Sequence, residues 1–92
     1  MIKGFQHKGL QNFFENGSKA GIQAHHAPRL RRQLARLDEA KMPPDMNLPG
    51  WRLHGLAGSL AGRHLVQVDG NWRITFAFDD ADAVLVDYQD YH

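Results

Sequence analysis

Trp72-Arg73-Ile74-Thr75-Phe76-Ala77-Phe78 is the cleanest alternation in the chain, with a large apolar side chain at every second position. A period of two describes a strand with Trp72, Ile74, Phe76 and Phe78 in a core and Arg73, Thr75 and Ala77 on the other side. Asp69-Gly70 just before it is a hairpin signal. The preceding residues 63–68 alternate in the same way, His64, Val66 and Val68 against Arg63, Leu65 and Gln67. Asp79-Asp80-Ala81-Asp82 is an acidic turn, and residues 83–88 read as a buried final strand. Residues 51–56 also alternate, Trp51 and Leu53 against Arg52 and His54, so a strand is expected there, with a flexible turn of small residues over 57–62. Short connections make this half an antiparallel meander.

The first half has a different period. Leu10, Phe13 and Phe14 share one face of a helix expected over about residues 8–16, with Gly17 placed to end it in a left-handed cap. Ala27, Leu30, Leu34 and Leu37 form one apolar stripe of a second helix, and Pro28 falls in its first turn, where a missing N–H costs nothing. Residues 2–5 suit a short strand. Pro43-Pro44 and Asn47-Leu48-Pro49-Gly50 break the chain between its helical and strand-rich halves. The expectation is an α+β domain over residues 1–92, with two N-terminal helices packed on one face of a small antiparallel-dominated sheet.

Composition narrows the functional classes. With 42% apolar and 23% charged residues, the chain belongs among folded soluble proteins and not disordered ones. No apolar run approaches the ~18 residues that span a bilayer, and Met1-Ile2-Lys3-Gly4 leads into no secretory core, so no membrane partner and a cytoplasmic address are expected. The absence of cysteine excludes disulfides and thiolate metal sites. His25-His26 suggests metal, but no third ligand stands at helical spacing from the pair, so no metal or other cofactor is expected. Residues 1–46 hold eight Lys and Arg against four Asp and Glu, and residues 47–92 hold three against six. Arg29, Arg31, Arg32 and Arg36 on the second helix suit a phosphate backbone or an acidic partner. The plainer reading is a solvated helix face.

One constellation carries chemistry. Arg73 lies on the strand face away from the helices, His54 points away from its apolar neighbours, and Asp90-Tyr91-His92 follows the last strand. Two imidazoles, a carboxylate, a phenol and a guanidinium suit RNA cleavage by transphosphorylation. In that reaction the ribose 2′-OH loses a proton, the 5′-oxygen gains one, and the phosphorane needs positive charge. Imidazoles exchange protons near neutral pH, Arg73 matches phosphate oxygens through its planar fork, and Tyr91 offers a stacking surface for a base. The chemistry requires no metal. Taken singly, His92 is a chain terminus, and His54 and Arg73 suit ordinary surface positions on a sheet.

Together these residues carry a family resemblance. Arg52-Leu53-His54-Gly55-Leu56 with Gly58, Asn71-Trp72-Arg73-Ile74-Thr75-Phe76 and Asp87-Tyr88-Gln89-Asp90-Tyr91-His92 are similar to motifs of the HigB group of RelE-superfamily bacterial toxins, the plasmid-maintenance killer proteins. Met1-Ile2-Lys3 and the helix ending at Gly17 also fit. The resemblance implies a RelE-like fold and a ribosome-dependent endoribonuclease that cuts translated mRNA in the A site of the 30S subunit. It implies a HigA-type helix-turn-helix antitoxin through which alone operator DNA would be bound. On the matching positions it implies His54, Arg73, Asp90, Tyr91 and His92 as active residues. His92 would lead as general acid or base with His54 as the other candidate, Asp90 would tune the imidazoles, Tyr91 would hold the nucleotide, and Arg73 would steady the phosphate. Arg29, Arg32, Arg36, Arg52 and Arg63 are the candidates for RNA and ribosome binding. Many relatives carry lysine where this chain has Ala57, and arginine near Gln67 or Val68. Arg52 and Arg63 would substitute only partly, which predicts weaker, more salt-sensitive RNA binding.

Overall fold

The computed structural model describes residues 1–90; Tyr91 and His92 lie outside the described residues. Two helices, α1 (Lys8–Asn16) and α2 (Ala27–Glu39), precede four strands, β1 (His54–Gly55), β2 (His64–Asp69), β3 (Trp72–Asp79) and β4 (Asp82–Asp90). The strands form one sheet in the order β1-β2-β3-β4, every neighbouring pair antiparallel. This is the expected α+β architecture of helices on one face of a meander.

The helices form where the periodicity puts them. His7 caps α1 by accepting the Leu10 N–H on Nδ1 at 3.0 Å, and Gly17 closes it at φ 78. All four residues of the α2 stripe are buried, and with Leu10 and Phe13 they pack on Val66, Ile74, Phe76, Val86 and Tyr88 of the sheet. The loop before α2 crosses α1 at Gly21, where a Cβ would lie 2.5 Å from the Gly9 Cα. Neither glycine has room for a side chain.

The sheet departs from strict alternation in three places. The strand expected over residues 51–56 pairs only at His54–Gly55, because positive φ at Gly50 (82°) and Arg52 (54°) turns the chain off an extended path. On β4, Leu85 and Val86 together face Phe76, with Leu85 at φ 56, so the pairing shifts phase. That shift lets Ala83, Val86 and Tyr88 all enter the core, which a period of two cannot do. On β2 the register shifts between Gln67 and Asp69, so that Asp69 pairs with Trp72. The last strand also runs two residues beyond Tyr88, making Asp90 a strand residue. Residues 2–5 do not form a regular strand; they run beside β4 with isolated parallel bridges at Ile2 and Phe5.

Because β1 is so short, the outer edge of β2 beyond Leu65 has no partner strand. The Gln67 N–H instead donates to the Trp51 carbonyl at 2.7 Å. Its carbonyl accepts from Gln33 Nε2 at 2.8 Å and from Arg29 Nε and Nη2, each at 3.3 Å. Arg29 and Gln33 are four apart and therefore on one helix face. Among the described residues no helix is long and apolar enough to cross a membrane.

Two stability outcomes follow. Gln33→Met keeps the volume but removes the buried donor, and should lower unfolding free energy in urea by about 1–3 kcal/mol. An unchanged midpoint and slope would mean that the edge carbonyl does not need it. Gly21→Ala should cost about 1–3 kcal/mol through the backbone clash with Gly9, read as a lowered melting temperature.

Candidate active site

The sheet face turned away from the helices holds a cleft of about 260 Å³, lined by Arg52, His54, Leu65, Gln67, Trp72 and Arg73 together with Gly70 and Asn71 of the β2–β3 turn. Register explains the grouping, since cross-strand partners share a face. His54 stands across from Leu65 and Leu65 from Thr75, while Gln67 stands across from Arg73 and Arg73 from Gln89. The face is less open than alternation suggested: Leu65 and Thr75 are buried, so the accessible chemistry sits at the Arg52, His54, Gln67 and Arg73 end.

His54 is exposed, and its Nδ1 lies 3.0 Å from the Arg52 carbonyl oxygen. A carbonyl only accepts, so Nδ1 carries the proton of the neutral ring and Nε2 presents a lone pair. Arg52 itself has left-handed backbone, at φ 54. Arg73 is half-buried at the cleft floor. Gln67 faces Arg73 across the strands and ties its amide to the Gly70 carbonyl at 2.9 Å.

The other expected residues divide. Asp90 is exposed at the end of β4 across from Trp72, so alternation starts it on the helix side of the sheet while Gln89 takes the place beside Arg73. Tyr91 and His92 lie outside the described residues. Arg63 donates to Gln6 Oε1 at 3.4 Å and is not part of the cleft lining. On α2, Arg29 holds the Gly50 and Gln67 carbonyls, and Arg36 Nε donates to the Asp45 carbonyl at 2.9 Å. Those two arginines therefore brace backbone, whereas Arg32 is exposed on a groove with Arg36 and Trp51.

Behind the cleft lies a buried polar cluster that sequence patterning does not reveal. Trp72 stacks on Tyr88 with centroids 4.5 Å apart, and the His26 ring meets Trp72 edge-on at 5.6 Å. His26 Nδ1 is 2.6 Å from the Tyr88 hydroxyl, which also accepts the Gln23 N–H at 3.3 Å. Burial raises the Tyr88 phenol above its ordinary value, opposed by the Gln23 N–H and aided by the Asp90 charge. Burial, then neighbouring His25, lowers the His26 imidazole, and Asp69 opposes this in part. The only hint in the sequence was the His25-His26 pair; the third member, Asp69, comes from the β2–β3 hairpin, 43 positions along the chain from His26.

Comparison with known proteins identifies the family. A family model described as the RelE-like toxin of the type II toxin-antitoxin system HigB matches residues 3–92. A protein named Endoribonuclease HigB, from Proteus vulgaris, is 40% identical over 92 residues, covering 100% of both chains. The match spans both helices, the meander and the cleft residues, and the chain belongs to the HigB-like family of RelE-like toxins of type II toxin-antitoxin systems.

Proposed function

We propose that the chain is a ribosome-dependent endoribonuclease that cuts translated mRNA in the A site by attack of the ribose 2′-OH on the adjacent phosphorus. The observation that carries this reading is the single cleft that gathers His54, Arg52 and Arg73 on the helix-free face. The 2′-oxygen forms a bond to phosphorus and the bond from phosphorus to the 5′-oxygen breaks. His54 Nε2, its lone pair held outward by the Nδ1 contact, takes the 2′-OH proton, and His92 returns a proton to the 5′-oxygen. Arg73 meets the phosphorane oxygens, Arg52 the flanking backbone, and Tyr91 the base; Asp90, at the strand end, tunes His92 two residues along the chain.

In this reading a HigA-type helix-turn-helix antitoxin restrains the toxin and supplies any contact with operator DNA, and the protein works in the cytoplasm on ribosomes and mRNA. Membership in a type II toxin family supports the antitoxin partner. The Proteus relative's name supports the nuclease activity. One observation favours a second reading: Gln67, an uncharged amide, faces Arg73 in the cleft. With Ala57 also uncharged, the cleft would hold phosphate less tightly, and the chain would then act as an antitoxin-binding corepressor of little activity.

Induction of the parent in a bacterium should arrest growth and cleave messages on ribosomes. His54→Ala, Arg73→Ala and His92→Ala should each cut the cleavage rate by about 10²-fold or more. A parent that forms a tight antitoxin complex but neither arrests growth nor cleaves RNA sinks the enzyme reading in favour of the corepressor. On the helix face, Arg32→Glu should weaken ribosome binding, measured by cosedimentation, without lowering the melting temperature. Arg29→Glu should lower the melting temperature, because its guanidinium braces the Gly50 and Gln67 carbonyls.

A further inference from the structure

We propose that His25, His26 and Asp69 form a binding site for a divalent transition metal of the Zn²⁺ type, on the opposite side of the β2–β3 hairpin from the cleft. Their ligand atoms all lie within 4.8 Å of one another. Asp69 Oδ2 is 3.5 Å from His26 Nε2 and 3.6 Å from His25 Nε2. Bonds of about 2.0–2.2 Å in a tetrahedral shell put neighbouring ligand atoms roughly 3.3 Å apart, close to both separations. Two imidazoles and a carboxylate are the donor set that zinc and its first-row neighbours favour over calcium or magnesium.

An independent observation points inward to the same spot. The His26 side chain is 98% buried, and among the described residues its Nε2 has no hydrogen-bond partner. The 3.5 Å to Asp69 is too long for a well-made N–H···O bond. A buried ring nitrogen is rarely left this way, because losing water without a replacement is costly. A metal ion would satisfy it. The other ring nitrogen is already arranged for ligation. Nδ1 rests 2.6 Å from the Tyr88 hydroxyl, whose oxygen can hold the Nδ1 proton and leave the Nε2 lone pair free. His25 and Asp69 are exposed, so their side chains can close on an ion and a fourth position faces solvent.

The backbone explains why this trio assembles. Strict alternation along β2 would send Asp69 to the cleft side with Leu65 and Gln67. The register shift between Gln67 and Asp69 pairs it with Trp72 and turns it toward His26. The ion would join the short helical turn Ala24–His26 to the hairpin that carries Trp72, which meets His26 edge-on, and Arg73, which lines the cleft. Metal binding would therefore fix the position of one wall of the cleft.

Titration of the full-length, tag-free chain with Zn²⁺ alone, followed by isothermal calorimetry, tests the site. One ion per chain is expected, with a higher melting temperature in its presence. His25→Ala and Asp69→Asn, both at exposed positions, should keep the metal-free melting temperature and lose affinity at least about ten-fold. Tyr88→Phe, which keeps the ring stack, should lose roughly ten-fold through its effect on His26. Absence of saturable one-to-one binding in the parent overturns the proposal, as does unchanged affinity in both His25→Ala and Asp69→Asn.

Discussion

The backbone of Gln67 holds the two layers of this protein together. It lies on a sheet edge that β1 is too short to cover, and an unpaired edge invites either water or another chain. Here the N–H is taken by Trp51 and the carbonyl by Arg29 and Gln33. The same contacts that satisfy the edge dock α2 on the sheet and pin the loop that leads to His54. The Gln67 side chain, pointing the other way, lines the cleft. One residue therefore ties helix packing to the geometry of the candidate active site.

The two faces of the sheet then take different work. The helix side is dry around Leu30, Leu34, Ile74 and Phe76, and it grades into the polar cluster of His26, Tyr88 and Trp72 at the hairpin end. The far side keeps His54 exposed and Arg73 half-buried in the cleft, beside the buried Leu65 and Thr75. Trp72 belongs to both, stacked on Tyr88 and part of the cleft wall. A change in the buried cluster would thus reach the cleft through one rigid indole.

Most of the architecture was legible because it rests on periodicity. The α2 stripe of Ala27, Leu30, Leu34 and Leu37 and the β3 alternation leave few other ways to bury their apolar sides. What escaped the sequence reading depends on single backbone angles. Nothing in the letters around Arg52 or Leu85 announces a positive φ at a non-glycine residue, yet those two angles shorten β1 and shift β4. The β2 irregularity likewise decides the side on which Asp69 lies, and so hides its meeting with His25 and His26 from any argument by spacing. For the candidate site, alternation placed Arg73 and His54 correctly on one surface. Asp90 was expected in a tail beyond the last strand, but β4 continues past Tyr88 and carries Asp90 to the position across from Trp72. The arginines of α2 looked equivalent in the sequence, but Arg29 and Arg36 each reach a backbone carbonyl that only the folded chain brings near.

In the proposed reaction, side chains of the cleft and of the tail alone move the protons of a 2′-OH displacement. End-group analysis of message fragments from translating ribosomes treated with the protein tests this most directly. Cleavage by this route leaves a 2′,3′-cyclic phosphate on the upstream fragment and a 5′-hydroxyl on the downstream one, and a 2′-O-methyl group at the scissile nucleotide abolishes it. Fragments carrying a 5′-phosphate, or undiminished cutting at a 2′-O-methyl site, would contradict the mechanism.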